Sequence, residues 1–286
     1  MRGIGLLKLL IVAAAFIGGL GAVTNGAGLR DGRTPVVARR VFESRTRGSE
    51  VLNAHPQPGW RRYTGPVPIL VYHELGAAPA GAPFPGLYVS DADFSAEMAW
   101  LHGNGYEAVT LDEVMNAWFH RGTLPHKPIV ITFDNGYLSQ ITFAPSVMSR
   151  YGWPGVLNEI TENHLHPAQI RSILRDGWEV DSHSLTHPDL TTFDAAELQA
   201  QVAGSRTFLR RTFHIPANSF CYPSSRYDAA TIAAVKAAGY TNATTENPGY
   251  ATSSEVFTLP RFEIESGVPE LSADLLRYQP AGYASQ

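Results

Sequence analysis

The chain has 286 residues, of which 44% are hydrophobic and 17% are charged, and it contains a single cysteine, Cys221. This length and apolar content allow one large folded domain with appendages and exclude a chain that is disordered throughout. A single cysteine excludes an internal disulfide and a zinc site built from several cysteines. Residues 1–64 carry a charge of +7 and residues 65–286 a charge of −11, and an acidic domain argues against binding to nucleic acid.

The first 23 residues have the pattern of an export signal. Arg2 and Lys8 precede an apolar stretch from Leu9 to Val23, as in a signal peptide or a signal anchor. The alternative is a buried N-terminal helix of the domain. Residues 24–64 are rich in Arg, Gly and Pro and are predicted to be a linker. We therefore expect a secreted or extracytoplasmic monomer that associates with the membrane through residues 1–23 if that segment is retained.

From residue 66 onward, short apolar runs alternate with amphipathic segments. The predicted order is strand 68–73, helix 91–104, strand 107–111, helix 112–122, strand 128–133, helix 139–151, strand 155–160, helix 166–177, strand 178–182, helix 194–213, strand 219–223, helix 228–239, strands 240–245 and 257–264, and helix 268–277. Such alternation is typical of βα units with a parallel sheet. Residues 65–286 are therefore predicted to form an α/β domain, a distorted barrel of about seven parallel strands.

Two predicted strands end in residues that suit a metal site. The apolar run 129–133 leads into Asp134-Asn135-Gly136, and the strand 178–182 is followed by His183 and His187. Functional residues of barrel and open α/β folds lie at the carboxyl ends of the strands. Two histidines at this spacing can share one divalent ion, and zinc suits neutral imidazole. The alternative, ordinary surface or core histidines, is disfavoured by the polar end of the strand before Gly136.

These segments resemble a known family. Residues 132–137 (Thr-Phe-Asp-Asn-Gly-Tyr) and 182–188 (Ser-His-Ser-Leu-Thr-His-Pro) are similar to the first two motifs of the polysaccharide deacetylases, carbohydrate esterase family four. Looser similarities follow at 71–73, 220–223, 226–228 and 259–261. The resemblance implies a distorted barrel and metal-dependent removal of acetyl groups, predominantly N-acetyl, from a polysaccharide or cell-envelope glycan.

The resemblance also implies roles for the motif residues. Asp134 matches the general base, and His183 and His187 match two metal ligands, the metal typically being Zn²⁺. Asn135 matches a third ligand, which is usually an aspartate in the family. An amide oxygen can bind a metal but supplies no charge, so two hypotheses stand: an active enzyme with weaker metal binding, or a glycan-binding pseudoenzyme on the same fold.

The third motif and the catalytic acid differ more from the family pattern. The backbone N–H of Ser224, close to Tyr222, matches the group that binds the oxyanion. The usual acid histidine is replaced by Arg261, which does not release a proton at a useful pH. His73, after the first strand, resembles the acid of some exopolysaccharide deacetylases and has a suitable pKa range. The alternative for His73 is a histidine satisfied by backbone groups.

Supporting roles are predicted for two further residues. Asp181 is a candidate to orient a histidine, and Arg226 a candidate to pair with Asp134; the alternatives are a plain strand-end carboxylate and a surface arginine. Outside the family, a barrel glycoside hydrolase would need two carboxylates about 5–10 Å apart, for example Asp134 with Glu159 or Asp181. That hypothesis gives the two histidines no role.

Overall fold

The computed structural model describes residues 57–163, 165–281 and 283. The predicted signal or anchor segment and most of the predicted linker lie outside these residues and stay predictions. The parallel strands are β1 (Val67–Tyr72), β2 (Pro128–Asn135), β3 (Val156–Glu159), β4 (Glu179–Ser182), β5 (Ser219–Cys221), β6 (Asn242–Thr244) and β7 (Phe262–Glu263). Besides β7, the two-residue strands are Arg61–Arg62, Glu74–Leu75, Tyr88–Val89, Glu107–Ala108, Thr123–Leu124 and Tyr250–Ala251. Glu107–Ala108 also pairs parallel to β2.

The parallel strands pair in the order β6-β5-β4-β3-β2-β1-β7. An isolated parallel bridge between Thr244 and Leu259 brings the segment before β7 back to β6, so the sheet curls toward closure. This curled parallel sheet confirms the predicted distorted barrel. An antiparallel pairing of Tyr250–Ala251 with the start of β1 is the irregular element of the sheet.

The helices lie where the sequence predicted them, with differences at their ends. They are α1 (Asp91–Gly103), α2 (Leu111–His120), α3 (Leu138–Thr142), α4 (Ala144–Met148), α5 (Pro167–Arg175), α6 (Ala195–Phe213), α7 (Ala229–Ala237) and α8 (Gly267–Arg277). The single helix predicted over residues 139–151 is divided into α3, α4 and a 3₁₀ turn. Pro145 lies in the first turn of α4 and has no backbone N–H, so it can begin a helix but cannot continue one.

The predicted strand over residues 107–111 ends early because a helix cap at Thr110 starts α2. Thr110 caps α2, and its side chain accepts a hydrogen bond from the backbone N–H of Glu113, whose carboxylate binds the Thr110 N–H in return. This capping box starts the helix at Leu111 and leaves only Glu107–Ala108 as strand.

Alternation along β2 determines which side chains enter the barrel. Ile129, Ile131 and Phe133 pack in the layer that includes the helices, and the Phe133 ring centroid lies 6.0 Å from that of Phe94 on α1. Thr132 and Asp134 point to the opposite side, because successive strand residues face opposite ways. Both contact Arg261 inside the barrel. The same period therefore buries the apolar side chains and directs Asp134 inward.

The folded domain begins before the predicted boundary at residue 65. Arg61–Arg62 pairs antiparallel with Thr123–Leu124, and the Tyr63 side chain is buried and donates a hydrogen bond to the Pro66 carbonyl at 2.8 Å. The end of the predicted linker is thus part of the domain.

Within the part of the chain that the structure describes, no helix combines the length and apolar character needed to cross a membrane.

Candidate active site

The predicted site residues meet at one edge of the barrel. His73 follows β1, Asp134 lies near the end of β2, and His183 follows β4. Because these strands are parallel, their carboxyl ends share that edge. Ligand atoms of Asp134 and His183 lie within 4.8 Å of each other, as do those of His73 and Asp134. The ring centroids of His183 and His187 are 4.6 Å apart. The structure thus brings together four residues that the sequence nominated.

The two histidines are held by a tightly bonded loop. His183 Nδ1 lies 2.9 Å from the Cys221 carbonyl oxygen, an arrangement that places the proton on Nδ1 and leaves Nε2 as the free ligand atom. His187 has a left-handed backbone (φ 59°), and its N–H donates to Ser184 Oγ at 2.9 Å. Gln201 on α6 accepts hydrogen bonds from the backbone N–H groups of Leu185 and Thr186, which lie between the two histidines. The loop therefore presents both rings from a fixed backbone.

The donor set fits a divalent metal ion. Asn135 Oδ1 is buried and has no hydrogen-bond partner among the described residues, as expected of an oxygen whose partner is a cation. Its φ of 79° is left-handed, a conformation that asparagine tolerates better than most residues. Burial lowers the pKa of His183 to about 3 and also lowers the pKa of His187. Both rings are therefore neutral near pH 7, as metal ligation requires.

Sequence reasoning noted Arg261 only as the replacement for the acid histidine and missed that it pairs with Asp134. Its guanidinium is fully buried and binds both carboxylate oxygens of Asp134, at 2.8 and 2.7 Å. It also donates to Thr132 Oγ1 at 2.9 Å and lies 3.1 Å from Cys221 Sγ. Cys221 stands where the resembled family often has arginine. That small side chain is a signal that could have pointed to an arginine from elsewhere in the chain, here from the segment before β7.

Asp134 is fully engaged at the centre of the site. Besides Arg261, Asn158 donates to its Oδ1 at 2.7 Å, and the Cys221 thiol donates to its Oδ2 at 3.2 Å. Burial alone would raise the pKa of Asp134, but the Arg261 charge outweighs burial and holds that pKa well below its usual range. Asp134 is therefore an anion near neutral pH.

His73 lies between two carboxylates that were not predicted as site residues. Its Nε2 is 3.9 Å from Glu246 and its Nδ1 is 3.8 Å from Glu263. Burial lowers the pKa of His73, and the negative charge of Asp134 opposes this shift. Glu246 follows β6 and Glu263 ends β7, so only the curling of the sheet reveals this grouping.

Two predicted supporting contacts differ in the structure. Asp181 accepts a hydrogen bond from the Ser219 N–H at 2.9 Å and does not orient a histidine, because Cys221 already binds His183. Arg226 is exposed and pairs with Asp189 instead of Asp134. Both corrections have one cause: Arg261 and a backbone carbonyl already occupy the partner positions.

Of the two residues predicted at the oxyanion position, Ser224 lies in the turn after β5 and the side chain of Tyr222 packs in the core. Ser224 has a left-handed backbone (φ 49°) in the turn after β5. The Tyr222 ring packs beside Phe220, and its hydroxyl donates to the Phe257 carbonyl at 3.1 Å. Its side chain is therefore part of the core, and a direct substrate contact from the Tyr222 ring is not available in this conformation.

The carboxylates required for a glycoside hydrolase are not arranged around a shared bond. Glu159 Oε1 accepts from the Leu165 N–H at 2.6 Å, and its other oxygen lies where a Cβ on Gly136 would stand. Glu159 and Asn158 are neighbours on β3 and face opposite ways, so the Glu159 side chain points away from Asp134. Asp181 is bound to Ser219, as described above.

Comparisons with known proteins agree with the sequence motifs. The profile described as "Polysaccharide deacetylase" matches residues 121–243. A Bacillus subtilis (strain 168) protein, YxkH, whose name places it among the polysaccharide deacetylases, is 28% identical over 71% of this chain and 72% of its own length. The poly-beta-1,6-N-acetyl-D-glucosamine N-deacetylase of Escherichia coli (strain K12) is 40% identical over 21% of this chain, but that match spans only 9% of the enzyme.

A solved structure supports the fold. The deacetylase PplD of Streptococcus pyogenes, determined in complex with acetate, superposes with a TM-score of 0.69 at 22% identity, covering 76% of this chain and 100% of that chain. At this identity the likeness concerns the fold alone.

Proposed function

Since the chain belongs to the polysaccharide deacetylase family, we propose that it is a metal-dependent hydrolase that removes N-acetyl groups from an acetylated polysaccharide of the cell envelope. The observation that supports this most is the pair of histidine rings, His183 and His187, 4.6 Å apart, with a ligand atom of His183 within 4.8 Å of the Asp134 carboxylate. Asn135 follows Asp134 on β2, and its buried Oδ1 has no hydrogen-bond partner among the described residues. Zn²⁺ is the ion we propose, because neutral imidazole ligands suit it. The N-acetyl preference is that of the Escherichia coli relative.

His183, His187 and Asn135 would hold the ion. Bound there, a divalent ion supplies Lewis acidity toward the acetyl carbonyl and the attacking water. Asp134 takes the proton from that water as the water oxygen bonds to the carbonyl carbon. Arg261 weakens Asp134 as a base by lowering its pKa, so the proton moves during the attack rather than before it. The backbone N–H of Ser224 is proposed to bind the developing oxyanion.

Breaking the carbon–nitrogen bond requires a proton on the leaving amine. His73 is the proposed donor, because a ligand atom of His73 lies within 4.8 Å of Asp134 and its ring faces Glu246 and Glu263. Burial lowers the pKa of His73, and the negative charge of Asp134 is what favours the imidazolium that must exist before the transfer. The net reaction consumes one water and yields acetate and a free amine.

The second candidate is a glycan-binding protein without catalysis. One observation favours it: each carboxylate oxygen of Asp134 already accepts two hydrogen bonds. Oδ1 accepts from Arg261 and Asn158, and Oδ2 accepts from Arg261 and Cys221. A carboxylate so engaged can serve as a fixed charge instead of a base.

The location is also a proposal: residues 1–23 would direct export or anchor the domain at the membrane, where envelope glycans lie.

The test is acetate release from an N-acetylated glucosamine oligomer by the full chain. We expect release that stops with a chelator, returns with Zn²⁺ and is lost in His187→Gln. Binding of the oligomer with no acetate under any metal would establish the pseudoenzyme, and shortening of the oligomer without acetate would establish a glycoside hydrolase. An O-acetylated oligosaccharide run in parallel distinguishes amide from ester substrates.

A further inference from the structure

The Gln140 side chain joins the two catalytic strand ends. Gln140 lies in α3, just after the Asp134–Tyr137 turn, and is fully buried. Its Nε2 donates to the carbonyl oxygens of His73 and Asp134, both at 2.6 Å. Its Oε1 accepts from the Tyr137 N–H at 3.0 Å. A side-chain amide has two donor hydrogens and an acceptor oxygen, and all three functions are used here on backbone groups.

These three backbone groups belong to the residues whose placement matters most. The His73 carbonyl follows β1 and the Asp134 carbonyl lies in β2, two strands that pair side by side. The Asp134 carbonyl and the Tyr137 N–H also flank Asn135 and Gly136, which both have left-handed backbones with φ of 79°. Gln140 thus sets the separation of the proposed acid and base and closes the turn that carries the amide ligand.

From this geometry we propose that Gln140 is a positioning residue that couples the acid at His73 to the base and metal ligand on the Asp134–Asn135 turn. The inference rests on the proposed function, because it assigns meaning to those two strand ends. Gln140 does not touch reacting atoms; it acts through the backbone of His73 and Asp134. A glutamate at 140 would face two carbonyl oxygens with no donor when ionised, so the amide is the side chain that fits.

The expected consequence is a loss of catalysis beyond the loss of stability. Displacements of about 1 Å in catalytic groups cost ~10²-fold in rate, and loss of a contact that orients a metal ligand costs roughly 10- to 100-fold in metal affinity. Substituting Gln140→Met keeps the side-chain volume and removes all three hydrogen bonds. We expect kcat to fall by ~10²-fold and zinc affinity by about 10-fold, with a smaller change in KM.

The matched control is Arg206→Met. Arg206 also donates to two backbone carbonyls, those of Ala217 and Ala238, both at 2.9 Å. These carbonyls precede β5 and β6, whereas the site lies at the carboxyl ends of the strands. We expect Arg206→Met to lower stability to urea while kcat and zinc affinity stay at the wild-type level. This separates a backbone clamp at the site from a backbone clamp elsewhere.

The experiment measures kcat, KM, zinc affinity by calorimetry and urea unfolding for the full chain and both variants. Gln140→Met with wild-type kcat and zinc affinity overturns the inference, whatever happens to its stability. If Gln140→Met does not fold, Gln140→Glu, which keeps the acceptor for the Tyr137 N–H, is measured in its place against the same expectation. If the wild type binds zinc but releases no acetate, the proposed function fails, and the zinc affinities of wild type and Gln140→Met still decide this inference. If the wild type neither binds zinc nor releases acetate, the proposed function and this inference are both overturned.

Discussion

Removing Arg261 should expose the cost of a buried, unpaired carboxylate. In Arg261→Met, Asp134 keeps its hydrogen bonds from Asn158 and Cys221 but loses two charged contacts, at 2.8 and 2.7 Å, in a site with no exposure of either side chain. Breaking one partner of a buried ion pair costs about 3–5 kcal/mol. We therefore expect the free energy of unfolding near pH 8 to fall by about that amount.

The deficit should depend on pH in a defined direction. In the wild type the pKa of Asp134 is depressed, so its contribution to stability is present above the carboxyl's unfolded pKa of about 4 and is lost as the pH falls below it. Without Arg261, burial raises the pKa of Asp134, and protonation relieves the unpaired charge. The difference between wild type and variant should therefore shrink from pH 8 toward pH 4.

Urea unfolding followed by tryptophan fluorescence at pH 8, 6 and 4 measures this difference. Arg226→Met is the control, because Arg226 also pairs with an aspartate but is exposed, and its loss should have little effect at any pH. A deficit in Arg261→Met that is equal at all three pH values, or no larger than that of Arg226→Met, would refute the buried-pair account.

Three further substitutions test the metal ligands and the acid. Asn135→Asp should raise zinc affinity because it adds a charge to the donor set, and an unchanged calorimetric titration would show that residue 135 does not contact the ion. Tyr137→Phe removes the hydroxyl that lies 3.4 Å from Asn135 Nδ2 and that we expect to orient this amide. It should weaken zinc binding in the wild type but not in Asn135→Asp, because a carboxylate with two oxygens needs no such orientation. Equal losses of zinc affinity in both backgrounds would contradict an orienting role for Tyr137. His73→Gln should lower kcat by roughly 10²- to 10⁴-fold with zinc affinity unchanged, and full activity in this variant would remove His73 from the mechanism.

The parts of the site that the sequence predicted share a simple physical origin. Short, continuous apolar runs predict buried strands, and polar residues directly after them predict the edge at the strand ends. Parallel pairing then places Asp134, His183 and His73 together without knowledge of distant contacts. The strand-end positions were therefore available from local patterns, although their chemical roles came from the family resemblance.

The parts that the sequence did not predict depend on contacts across the barrel. Arg261 reaches Asp134 over a separation of 127 residues, and its inward direction follows from how the sheet curls after β6. Gln140 looks like an ordinary polar residue of a helix until the two carbonyls above it are placed. The start of the domain before residue 65 likewise reflects tertiary pairing, that of Arg61–Arg62 with Thr123–Leu124, which overrides local composition. The break near Pro145 is different, because the proline itself was visible in the sequence.

We propose that deacetylation requires one ion held by His183, His187 and Asn135. The most direct measurement titrates Zn²⁺ into metal-free full-length protein while following acetate release from an N-acetylated glucosamine oligomer. Activity should rise in proportion to added zinc and level off at one equivalent per chain, and His183→Ala should show no such rise. Acetate release that is independent of zinc, or a His183→Ala variant that titrates like the wild type, would contradict it.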